Sequence, residues 1–322
     1  MHTAHLYVAR TLTARVMDEL PALGVALKVG AVAPPSRDRL LADAAGAVAA
    51  VVTLTERIDA EFFDAAGPQL RVVANVAVGF DNIDLAEAKR RGVVVTNTPG
   101  VLDEATADHT FAMLLALTRR VVEADRFARS SEPWIWGPTM LVGLDISAGA
   151  TLGIIGLGRI GRAVARRARA FGMRVIASHP RLEVGTESDG VEIVGQAELL
   201  ATSDVVTLHV PLRPDTRHLI DADALAAMKP GSYLINAARG GVVDETALIG
   251  ALRSGHLAGV ALDTFEGEPV INPTLCEFGN VVLQPHIASA GDATRDSMCR
   301  LAVRNVARVL AGDPPLTPVP LP

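Results

Sequence analysis

Apolar residues in the first hundred positions fall in short runs at 5–9, 25–29, 47–54, 70–76 and 93–96. These runs have the length of buried strands. The stretches between them, 14–20, 37–45, 59–65 and 85–91, carry their apolar residues at helical spacing. Strands alternating with helices predict a parallel sheet covered by helices, because each parallel connection must cross the sheet. Asn-Thr-Pro-Gly at 97–100 interrupts the pattern. One long helix is predicted over 104–128, then an irregular stretch rich in Trp, Gly and Pro over 130–149. A second alternating block places strands at 151–155, 173–177, 191–194, 205–208, 233–236, 259–262 and 281–283. A last helix over 293–311 precedes a Pro-rich tail.

One segment of the second block is specific. Residues 151–161, Thr-Leu-Gly-Ile-Ile-Gly-Leu-Gly-Arg-Ile-Gly, read as a buried strand entering a G-x-G-x-x-G turn, with a helix behind it over 162–171 and another apolar run next. That context makes the glycine pattern a dinucleotide fingerprint. Gly158 has no Cβ, so a pyrophosphate can approach the backbone, and the helix N-terminus presents N–H groups to it. The layout predicts an α/β protein of two domains. A Rossmann-type, doubly wound parallel-sheet domain over 99–289 is inserted into a smaller flavodoxin-like α/β domain made of 1–98 plus 290–322. Two helices form the hinge, and the site is expected in the cleft between domains.

A length of 322 residues accommodates two domains, and 49% hydrophobic residues suffice for two cores. The net charge of −6 argues against a nucleic-acid partner. No uncharged apolar run has membrane-spanning length. The two cysteines, Cys276 and Cys299, lack metal spacing, and no His/Cys/carboxylate cluster suggests a metal site. With no apolar leader at the N-terminus, a cytoplasmic location is expected.

Three later segments place polar groups just beyond predicted strand ends, where open α/β sheets bind ligands. They are Arg239 in 234–241, Glu268 in 261–269 and His286 in 283–289. Asp81 and Asp84 are expected to cap the following helix. His109, His218 and His256 read as structural or solvated.

With these segments the chain resembles the NAD(P)-dependent D-2-hydroxyacid dehydrogenase family, in its glyoxylate/hydroxypyruvate and 2-ketogluconate reductase branch. The likeness runs through 75–84 (Asn-Val-Ala-Val-Gly-Phe-Asp-Asn-Ile-Asp), 97–102, 106–108, the glycine fingerprint, His-Val-Pro-Leu at 209–212, and the three strand ends. The resemblance implies a reductase of small 2-oxo acids that yields D-2-hydroxy acids. It gives Arg239 the substrate carboxylate and carbonyl, His286 the proton, and Glu268 the support of that imidazole. It places the substrate against the backbone N–H groups of Val78 and Gly79, with Leu54, Ser289 and Trp136 also lining the pocket. The cofactor would be held by Thr106, by Gly156, Leu157, Gly158, Arg159, Ile160 and Gly161, and by Ser178, His179 and Arg181. His209, Val210, Pro211, Thr216, Ala237, Ala238, Asp263, His286 and Ala288 complete that set. The irregular segment with Trp134 and Trp136 would form a homodimer, Trp136 reaching the partner's pocket. A related but non-enzymatic reading is an NAD(H)-sensing corepressor-like protein.

The second strand of a dinucleotide domain usually ends in an acid that bonds the ribose hydroxyls when NAD is preferred. Here 177–181 reads Ala-Ser-His-Pro-Arg. Ser178 or His179 stands where the acid is expected, with Arg181 near enough to meet a 2′-phosphate. NADPH is therefore expected, with NAD as the alternative.

Overall fold

Strands without a polar face need cover on both sides, and helices supply it. The computed structural model describes residues 4–322. The chain divides into two compact units, one running to Leu102 and resuming over Ala290–Pro322, the other Asp103–Ser289.

Unit 1 contains β1 (His5–Val8), α1 (Ala14–Glu19), β2 (Ala26–Val29), α2 (Arg37–Ala44), β3 (Ala47–Val52), α3 (Ala60–Ala66), β4 (Val72–Asn75), α4 (Leu85–Arg90) and β5 (Val94–Thr96). The sheet is parallel, in the order β2-β1-β3-β4-β5, which is the flavodoxin-like order. β1 and β4 are buried at every position, whereas the edge strand β2 is largely exposed. Side-chain caps set the helix starts: Ser36 accepts from Arg39 N–H and Asp59 from Phe62 N–H. Asp84 caps α4 through Glu87 N–H, so it fills the role expected of both aspartates; Asp81 lies outside that cap. The Pro-rich tail is built into this unit. Val319 N–H donates to the Val95 carbonyl, and Val319 packs in the same core cluster as Tyr7, Phe62 and Val95.

Unit 2 contains α5 (Asp103–Thr118), α6 (Val121–Arg129), β6 (Thr151–Ile155), α7 (Arg159–Ala170), β7 (Arg174–Ser178), β8 (Glu187–Ser188), β9 (Val191–Ile193), α8 (Gln196–Thr202), β10 (Val205–Leu208), α9 (Ala222–Ala227), β11 (Ser232–Asn236), α10 (Glu245–Arg253), β12 (Leu257–Leu262) and β13 (Val281–Leu283). Its sheet runs β13-β12-β11-β10-β6-β7-β9-β8, parallel throughout except for the β8–β9 pair. The order reverses at β6, the switch point of a doubly wound sheet. One core cluster includes residues of α5 and α7, and a second includes residues of α8, α9 and α10. The chain then returns to unit 1 through α11 (Asp292–Ala311).

The single helix expected over 104–128 is two helices. Arg120, at φ 54°, breaks it. The cause is tertiary. Leu144 N–H takes the Thr118 carbonyl at 2.9 Å. Gly143 passes so close to that oxygen that a side chain there would collide with it.

Candidate functional site

The glycine turn joins β6 to α7. Gly156, at φ 100°, turns beside the His209 carbonyl, and Gly161 lies against the Gly156 carbonyl. A methyl group at either position would strike backbone. Gly158 differs: a methyl built on it meets nothing within 4 Å. It is also the N-cap of α7 and gives that helix no side-chain cap. An open backbone beside an uncapped helix N-terminus fits a dinucleotide pyrophosphate. Arg159 is exposed at the same end, and its guanidinium has no partner among the described residues. Ile160 packs partly against the core. Leu157 is only 2% exposed, its side chain held within the core.

β7 ends at Ser178. His179 Nδ1 accepts Arg181 N–H at 3.1 Å, which folds the strand end back. Burial, then the positive charges of Arg181 and Arg162, lower the His179 pKa. The Arg181 side chain is exposed. At the end of β10, burial pushes the His209 pKa down to about 4, and its ring shares a hydrogen bond with Thr207 Oγ1 at 3.0 Å. That ring is neutral at ordinary pH. Thr216 donates its hydroxyl to the Pro211 carbonyl at 2.7 Å and accepts Arg213 N–H, bracing the loop that follows Val210. Thr106 is buried on α5. Ala237 and Ala238 are half-buried just beyond β11.

Arg239, Glu268 and His286 lie beyond the carboxyl ends of β11, β12 and β13, three neighbouring strands. Asn236 holds the first turn: its Nδ2 donates to the Arg239 carbonyl and its Oδ1 accepts Ala238 N–H. The Arg239 guanidinium donates to the Ala238 carbonyl at 2.9 Å. Gly240 then packs on the backbone of Phe265 and Glu266. Glu268 folds over its own loop, one oxygen accepting Phe265 N–H at 3.0 Å and the other meeting His286 Nδ1 at 2.8 Å. His286 sits in the left-handed region at φ 55°.

Asp263 has 0% exposure, and its oxygens accept Ile287 N–H at 2.7 Å and Ala288 N–H at 2.8 Å. It anchors the segment that follows His286. His109 Nε2 lies 3.6 Å from the same carboxylate. His218 pairs with Glu266 at 2.6 Å, and Glu266 N–H donates to the buried Glu245 carboxylate at 2.6 Å. Asn236, Glu245 and Glu266 escaped sequence reasoning, Asn236 because it bonds its own turn's backbone and the two glutamates because their partners lie far along the chain. His256 bonds the Met228 carbonyl.

Ser289 and Ala288 close unit 2, half-buried and buried. Trp134 and Trp136 are 61% and 75% exposed. In unit 1, Leu54 lies in a turn held by Glu56, whose carboxylate accepts Thr53 N–H and both neighbouring threonine hydroxyls. Val78 and Gly79 follow β4 in a half-buried loop. Among the described residues no helix is long and apolar enough to cross a membrane.

Comparison with known proteins agrees with this architecture. Residues 111–288 match the model of the NAD binding domain of D-isomer specific 2-hydroxyacid dehydrogenases. A glyoxylate reductase of Thermococcus onnurineus is 48% identical over 88% of this chain and 85% of its own length. The crystal structure of the TT0316 protein from Thermus thermophilus superposes with a TM-score of 0.92 at 45% identity, covering 98% of this chain and 100% of that one. An NADPH-dependent glyoxylate/hydroxypyruvate reductase from Sinorhizobium meliloti, in complex with NADP and malonate, gives 0.85 at 33% identity, covering 99% and 97%. With its doubly wound sheet, its glycine turn and this degree of identity, the chain belongs to the D-isomer specific 2-hydroxyacid dehydrogenase family.

Proposed function

We propose that this protein is an NAD(P)H-dependent reductase of small 2-oxo acids, glyoxylate and hydroxypyruvate, giving D-2-hydroxy acids. The observation that carries the reading is the 2.8 Å contact between Glu268 and His286 Nδ1, beside the strand end that bears Arg239. That contact occupies Nδ1 and leaves Nε2 to give a proton to the substrate's carbonyl oxygen. Glu268 fixes the orientation of the ring through that bond. Arg239 grips the carboxylate and polarises the carbonyl with a planar fork that lysine cannot reproduce. The hydride for the carbonyl carbon is what a bound nicotinamide supplies. Leu54, Val78, Gly79 and Ser289 are assigned to the substrate, and Trp136 to a homodimer partner's pocket. The exposed run of Trp134, Ile135 and Trp136 supports such a dimer.

NADPH is the proposed cofactor. No acid stands at Ser178 or His179 to repel a 2′-phosphate, and the exposed Arg181 is free to meet one. The free thiols of Cys276 and Cys299 suit a reducing cytoplasm. The test is steady-state turnover of glyoxylate, hydroxypyruvate and 2-ketogluconate with each cofactor. Tight cofactor binding without turnover of any 2-oxo acid would replace the enzyme reading with that of an NAD(H)-sensing binding protein.

A further inference from the structure

The loop after β4 divides its backbone groups in a way that implicates two asparagines. Three successive carbonyls are claimed from inside unit 1. The Ala77 carbonyl accepts Thr98 N–H at 2.9 Å. The Val78 carbonyl accepts Asn97 Nδ2 at 2.7 Å, and the Gly79 carbonyl accepts Asn75 Nδ2 at 2.8 Å. In a planar trans peptide the N–H points opposite to the C=O of the same unit. Holding the carbonyls of Ala77, Val78 and Gly79 inward therefore turns the N–H groups of Val78, Gly79 and Phe80 away. Among the described residues none of those three N–H groups has an acceptor.

The asparagine orientations are fixed by their neighbours. Asn82 Nδ2 donates to the carbonyls of both Thr53 and Glu56 at 3.0 Å, so its oxygen must face Asn75. Asn75 accordingly presents Nδ2 to that oxygen, at 3.1 Å, as well as to Gly79. Its own Oδ1 is buried without a partner among the described residues. An unmet buried acceptor is destabilising, and the arrangement keeps it in order to hold the loop.

We propose that Asn97 and Asn75 are positioning residues that aim the N–H groups of Gly79 and Phe80 at the substrate carboxylate, with Phe80 N–H a third donor beside those of Val78 and Gly79. The proposal rests on the functional reading above and deepens it. It restricts the substrate to an anion, since a row of outward N–H groups gives a neutral carbonyl compound little.

The test is Asn97→Asp, which puts a second oxygen against the Val78 carbonyl and disturbs the peptide. KM for glyoxylate should rise about tenfold or more, as for loss of a hydrogen bond to a charged group, while KM for NADPH stays put. A folded variant with unchanged KM for glyoxylate overturns the proposal. If Asn97→Asp does not fold, amide exchange in the wild-type protein decides. Oxamate, added with NADPH, should slow exchange in a peptide spanning 78–80, and unaltered exchange overturns the assignment. A wild-type protein that reduces no 2-oxo acid is instead the failure of the functional reading; protection by oxamate reports on the loop without turnover.

Discussion

Gly240→Ala should nearly abolish catalysis without touching any group that reacts. A methyl group there would lie 1.9 Å from the carbonyl carbon of Phe265, 2.0 Å from its oxygen and 2.4 Å from Glu266 N. All three are backbone atoms, so no side chain can swing aside. Ordinary contact begins at 3.4 Å, and the two segments must therefore separate by about 1.5 Å. One of them carries Arg239 next to the substituted position. The other bonds the Glu268 carboxylate through Phe265 N–H. Moving the carboxylate by about 1 Å takes its 2.8 Å bond to His286 beyond hydrogen-bonding distance. Displacement of that size costs about 10²-fold in rate, and the overpacking should lower stability by about 1–3 kcal/mol. The assay is kcat with glyoxylate, paired with a fluorescence titration of NADPH. The cofactor affinity should persist, because the turn between β6 and α7 is untouched. Gly158→Ala is the counterpart: its methyl meets no protein atom, so its effect should fall on cofactor affinity. A folded Gly240→Ala protein with wild-type kcat would refute the reasoning.

His286→Ala should lower kcat by about 10²–10⁴, the usual worth of a general acid, while NADPH affinity stays nearly intact because His286 is one cofactor contact among many; retained turnover would move the proton donor elsewhere. Arg181→Ala should raise KM for NADPH alone and remove a preference over NADH of roughly one to two decades in kcat/KM. Equal use of both cofactors by the parent protein would dismiss Arg181 from that role. His209 predicts an acid sensitivity of stability. Its folded pKa of about 4 lies below the ordinary value of 6.5, so the unfolded chain takes up the proton first as pH falls. Stability should decline between pH 6.5 and 4, by up to about 3 kcal/mol from this group. In urea melts across that range, His209→Gln should flatten the decline; an unchanged slope would exclude His209 as its source.

The fold was legible where chemistry is local. Parallel strands buried on both faces write themselves as unbroken apolar runs, as in Ala47–Val52 and Val205–Leu208, and both sheets follow from the runs and the helices between them. What escaped depends on contacts between distant segments. Nothing in Arg119-Arg120 marks a helix end; the break comes from Leu144 and Gly143 meeting the Thr118 carbonyl. The site follows the same division. Arg239, Glu268 and His286 could be picked out because their residue types and spacing carry chemistry. Asn236 and Glu245 act on backbone groups, which a sequence does not display. Asp263 could be picked out, but its bonds to the N–H groups of Ile287 and Ala288 are a tertiary fact.

The tail's place in unit 1 bears on how the chain comes off the ribosome. Val319 pairs with Val95 at the outer side of β5, and Asn305 of α11 accepts the N–H groups of Leu316 and Thr317. The first hundred residues therefore emerge without the helix and tail that complete their sheet. All of unit 2 must be synthesised in between, a delay on the order of 10–40 s at ordinary elongation rates. Unit 2 is contiguous and has its whole core in hand when its last strand appears. Unit 1 meanwhile holds β5 as an open edge, a template for pairing with another chain. Nascent protein should consequently be most prone to aggregate, and to engage chaperones, through its N-terminal third.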